Sequence, residues 1–154
     1  MPEPLPLSVR FTTMQAARLK EGFIYDPDEG VVMRLWHQDL IPLLPRQQLL
    51  GQHREITALR GLGWGRRHAT VDYVFLHSPY KLFQFHLLVM ATMRERGYHP
   101  DPAWYDPLYR GRHCPAYEDL AELPLTDPIY PEHNAAYLQE CLENLAGKGI
   151  HPTI

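Results

Sequence analysis

Hydrophobic positions along this chain follow a helical period over three separate stretches. In RQQLLGQHREITALR, Leu49, His53, Ile56 and Arg60 fall on one stripe, Pro45 can occupy a first helical position, and Gly61 is placed as the stop. On a neighbouring stripe Gln48, Gln52, Glu55 and Leu59 recur at i, i+4, i+7 and i+11, so Glu55 shares a largely polar face with two amides. A second helix opens with Ser78 as cap and Pro79 in the first turn, and runs through YKLFQFHLLVMATMRERG to Gly97. Its apolar residues surround almost the whole circumference, which predicts the central buried helix. In the third, PEHNAAYLQECLENLAGKG, Leu138, Cys141, Leu142 and Leu145 keep helical spacing and Gly147 is the stop.

The intervening segments read differently. GLGWGRRHA is a glycine-rich basic loop, and HATVDYVF is short enough to be either strand or helix. HPDPAWYDPLYRGRHCP is a long structured loop whose direction its prolines set. Residues 1 to 32 hold Pro2, Pro4, Pro6, Pro27 and a charged YDPDEG turn without any sustained period, and read as an irregular, mobile extension. The predicted architecture is all-α: a small compact helical domain over residues 33–154 behind an N-terminal extension over 1–32.

Composition supports this picture. A chain of 154 residues with 45% hydrophobic and 21% charged residues has enough material for one buried core. No apolar run approaches the roughly 18 residues that span a bilayer, so no membrane partner is expected. MPEPLPLSVR lacks the basic start and unbroken apolar segment of a signal peptide, which points to the cytoplasm, where Cys114 and Cys141 are expected as free thiols. Basic residues outnumber acidic ones from Met33 to Arg112, whereas from His113 onward Lys148 stands alone among acids. A basic body with an acidic tail suggests an anionic partner such as nucleic acid, while charge alone favours a solvated mixed surface.

Candidate chemistry narrows further. Nine histidines occur, but no spacing closes a metal site, so neither metal nor cofactor is expected. The GLGWG loop lacks the GK[ST] ending of a nucleotide-binding loop; Arg66 and Arg67 beside it suit a phosphodiester contact, or the loop is a plain turn. Between Met33 and Gly147 the only lysine is Lys81, so an amine nucleophile must be Lys81 or a backbone amino terminus. The terminus is the better candidate: with a pKa near 8 it is roughly one tenth neutral at pH 7, against under about a thousandth for an ordinary lysine.

MRLWHQDLIPLLPRQQLLGQHREI, then MRERGY after the long apolar helix, the YRG of Tyr109 to Gly111, and IYPEH before the last helix resemble, in order, the pyrimidine-dimer DNA glycosylase family. The resemblance implies the all-helical endonuclease V fold, a double-stranded damaged DNA substrate, base excision at pyrimidine dimers, and abasic-site lyase (endonuclease) cleavage by a monomer without cofactor. It implies that an α-amino group attacks the sugar C1′ and forms an imine, with Glu55 as the proton-shuttling glutamate. Arg54 and Arg34 match DNA-contacting arginines, and the DNA-binding set extends to Gln48, His53, Arg66 and Arg67. Gln48 stands where the bacteriophage member has a histidine, Ala58 where it has an arginine, and Met33 where it has its terminal threonine. The Glu29-Gly30 codons must be purine-rich, as a ribosome-binding site would be, so Met33 is expected as the native start and catalytic amine, with Lys81 as the fallback. An inactive helical DNA-binding domain of the same descent is the alternative. A small-molecule enzyme using the WYDPLY loop as a pocket wall is a third class.

Overall fold

The computed structural model describes residues 18–20, 23–26, 30–32, 35–61 and 72–153. The chain divides into two compact units, Met1–Leu35 with Gly65–His77, and Trp36–Trp64 with Ser78–Ile154.

In the first unit, β1 (Arg18–Lys20), β2 (Phe23–Asp26) and β3 (Gly30–Val32) form an antiparallel meander in the order β1-β2-β3. Leu19 pairs with Ile24, and Tyr25 with Val31. The described part of the extension is therefore a short sheet rather than an irregular arm. The segment left open between strand and helix contains a 3-10 turn at Asp72–Leu76. That outcome fits a run too short to sustain either longer ladder.

The second unit is helical. A 3-10 turn at Gln38–Leu43 leads into α1 (Arg46–Arg60), followed by α2 (Pro79–Glu95), a 3-10 turn at Pro102–Tyr105, and α3 (Ala135–Ala146). The all-α expectation for the domain is met. Pro45 is the N-cap of α1 with extended backbone, one position before the first-turn place expected for it. Ser78 caps α2 by accepting from the Tyr80 amide, and Asn134 caps α3 by accepting from that of Tyr137. Gly97 follows α2 with a φ of +88°, the left-handed conformation that terminates helices.

The core is where the three periodic stretches meet. Leu49, Ile56 and Leu59 of α1, Leu82, Phe85, Val89 and Met90 of α2, and Cys141 and Leu145 of α3 are buried with Leu40, Ile41 and Leu44. The α2 helix is the central element, as its all-round apolar surface predicts. Arg96, just past it, donates from Nη1 to the Leu44 carbonyl at 2.6 Å and from Nη2 to the Pro42 carbonyl at 2.9 Å, tying the end of α2 to the turn before α1. A second tie runs through Gln38, whose Oε1 accepts from the Ile129 amide at 2.8 Å and whose own amide donates to His133 Nδ1 at 3.0 Å. His133 stacks on His37 with ring centroids 5.3 Å apart and meets the Phe85 ring edge-on. These rings therefore close the core beside α3.

Candidate functional site

Glu55 lies two and a half turns into α1 and is only 9% exposed. Its place follows from the stripe it shares with Gln52, which puts both on the inward-facing arc of the helix. Gln52 Nε2 donates to Glu55 Oε1 at 3.0 Å, while Gln52 Oε1 accepts from the Trp36 amide at 2.7 Å. One buried side chain thus joins the carboxylate to the backbone at residue 36. A carboxylate in this position keeps a fixed direction and limited access to water, both of which suit proton transfer at a bound substrate.

The other α1 candidates occupy different sectors. Arg54 is exposed, Gln48 is half-buried where the helix begins, and His53 is half-buried. Residues two apart on a helix are separated by about 200°, so His53 and Glu55 stand on opposite rims of the buried arc. His53 faces α2: its Nδ1 lies 2.9 Å from His86 Nε2, and His86 Nδ1 lies 2.9 Å from Arg60 Nη1. Arg60 is 4% exposed. The same guanidinium donates to the carbonyls of Trp104 (2.9 Å), Asp106 (2.9 Å) and Tyr109 (3.0 Å) and packs over the Trp104 ring at 4.9 Å.

Electrostatics follow from this burial. Desolvation pulls the Arg60 pKa down to about 10, against the attraction of Tyr117 and Asp106, so the group stays charged at neutral pH. Burial, then the Arg60 and His53 charges, push His86 well below the ordinary histidine range. Burial, then Arg54 and Arg60, lower His53 as well. Both imidazoles are neutral at pH 7.

Lys81 occupies a half-buried position, where its Nζ donates to the Ile129 carbonyl at 2.8 Å and to Thr126 Oγ1 at 3.2 Å. Met33, Arg34, Arg66 and Arg67 lie outside the described residues. Among the described residues no group of three His, Cys, Asp or Glu is placed to hold a metal ion, and no helix is long and apolar enough to cross a membrane.

Periodicity found Glu55 and its polar stripe but did not assign the roles of Gln52, Arg60 and His86. A polar residue at i and i+7 on an otherwise apolar stripe, His53 and Arg60, was the available signal. What it lacked was the partner on α2. The WYDPLY loop is held by Arg60 through its carbonyls. The clefts found among the described residues are lined elsewhere, the larger, of about 570 Å³, by residues such as Tyr80, Gln84, Leu87 and Ile129.

In a comparison with known protein families, the sequence model of the pyrimidine dimer DNA glycosylase family aligns with residues 33–106. Across that segment, just under half of the chain, the sequence is similar to this family. The match begins at Met33 and contains Glu55, Arg54, Arg60 and His86, so the described site lies inside the family segment. Neither the curated proteins nor the solved structures yield a match to the chain.

Proposed function

We propose that the protein is a DNA repair glycosylase with abasic-site lyase activity on pyrimidine-dimer DNA, acting through an amine Schiff base at the sugar C1′. Glu55 is the proton-transfer group. The observation that carries this reading is the Trp36–Gln52–Glu55 chain of hydrogen bonds. It fixes the carboxylate against the backbone at Trp36, three positions along the sequence from Met33. The family match starting at that residue supports the division at 33 and a DNA substrate.

In this reading the α-amino group of a chain starting at Met33 attacks C1′ and the base leaves. Glu55 then moves the sugar protons during strand-cleaving elimination. Lys81 is the fallback amine for a chain that keeps its extension, but serving so requires Nζ to leave the Ile129 carbonyl and the Thr126 hydroxyl. Arg34 and Arg54, with Arg66 and Arg67, supply cations for the phosphates.

Borohydride reduction with an abasic-site duplex tests the proposal, because only an imine becomes a stable covalent adduct. Trapping is expected for a chain starting at Met33, and residual trapping by the full chain should disappear in Lys81→Ala. No adduct from either form would leave the alternative, a helical DNA-binding domain that does not catalyse.

A further inference from the structure

The hydrogen bonds among Arg60, His86 and His53 have a direction that the chemistry of the groups fixes. A guanidinium has only donors, so His86 Nδ1, 2.9 Å from Arg60 Nη1, must accept. A neutral imidazole carries one proton, which in His86 is then on Nε2. That nitrogen lies 2.9 Å from His53 Nδ1 and must donate to it. His53 Nδ1 accepts, and the His53 proton is left on Nε2. One buried and one part-buried contact thus select the tautomer of a half-exposed residue from a cation two side chains away. His53 Nε2 makes no hydrogen bond among the described residues and is not among the buried polar atoms that lack a partner.

We infer that Arg60 and His86 are positioning residues that present His53 Nε2–H as a fixed, neutral donor to a phosphate oxygen of the DNA backbone. This rests on the DNA reading above. The acceptor is assigned as a phosphate because the Arg54 and Arg60 charges both act at His53. A positive field of that kind favours an anionic oxygen over a neutral base edge. The site lies on the opposite rim of α1 from Glu55, so it holds the duplex and takes no part in the proton transfers.

The relay is tested in the full chain by nitrogen-15 spectra of the histidine rings. His53 should show a protonated Nε2 and an unprotonated Nδ1. In His86→Leu that preference should relax towards a mixture, while His86→Gln, whose amide oxygen accepts and whose amide nitrogen donates, should preserve it. Binding to a duplex with a stable tetrahydrofuran abasic analogue should weaken roughly tenfold in His53→Phe, the worth of one hydrogen bond to a charged acceptor. His86→Leu should weaken it by about twofold at most, since a mixture still populates the competent tautomer, and His86→Gln should leave it unchanged.

Salt separates this donor from an ordinary cation. A neutral donor releases no counterion, so His53→Phe should leave the slope of log affinity against log salt unchanged, whereas Arg54→Ala should reduce it by about one. A His53 proton on Nδ1 in the wild-type chain would overturn the relay, and unchanged affinity in His53→Phe would overturn the phosphate contact. Failure of the wild-type chain to bind the duplex at low salt would instead sink the DNA reading itself, and with it the ligand assigned to His53.

Discussion

Glu55 and Gln52 illustrate how two residues on one helical stripe acquire different work. The carboxylate is the proposed acid and base; the amide orients it while satisfying a buried backbone N–H. Glu55→Gln should therefore abolish lyase turnover and leave duplex affinity within a few-fold, measured by single-turnover cleavage beside a binding titration; equal cleavage would move the chemistry elsewhere. Gln52→Leu removes an acceptor and a donor inside the fold. Leaving the Trp36 amide unsatisfied should cost about 1 to 3 kcal/mol in urea unfolding, together with lowered cleavage. A variant as stable as the wild type would show that water or another group takes over that bond.

At the scale of elements, the end of α1 is bound to the loop after α2. Arg60 gathers the carbonyls of Trp104, Asp106 and Tyr109, while Arg110 returns the tie by donating from Nε to the Arg60 carbonyl and from Nη2 to that of Gly61. The two segments approach so closely that a Cβ at Gly61 would stand 2.9 Å from the Arg110 carbonyl. The helix stop that the sequence pattern predicted is thus also a packing requirement. Gly61→Ala should destabilise by about 1 to 3 kcal/mol, the usual cost of overpacking, and a thermal midpoint equal to the wild type would contradict this close approach. Arg60→Met should cost about 1 to 3 kcal/mol, because it removes the donor to three part-buried carbonyls, of which that of the exposed Asp106 can turn to water. The proline content of the 100–115 loop announced a defined path but not the guanidinium that holds it, since the partners lie more than forty residues apart.

For the whole molecule, the buried histidines make stability depend on acidity. His133 is held at about 3 by burial and by His37 beside it, whereas an unfolded histidine titrates near 6.5. Between these values the unfolded chain binds a proton that the folded chain refuses. Its contribution is therefore complete above about pH 6.5 and is lost as the pH falls towards 3, at up to about 1.4 kcal/mol per pH unit from this residue. Burial lowers His37, His53 and His86 in the same direction, which should steepen the loss. Urea midpoints at pH 7, 6 and 5 should decline progressively, and His133→Gln should flatten the decline; a flat wild-type profile would refute it.

The sequence alone determined the three helices, the Ser78 cap, the glycine stops, the central position of α2 and the stripe carrying Glu55, because each depends on local spacing and backbone chemistry. Its order of motifs also carried the family resemblance, which the match over residues 33–106 bears out. Tertiary structure decided what those stripes meet. Histidine spacing gave no sign that His53 and His86, thirty-three residues apart, would share a hydrogen bond, nor that Arg60 would direct it. The direction of such a chain depends on which groups are brought within hydrogen-bond distance while water is excluded, and only packing α1 against α2 supplies both conditions.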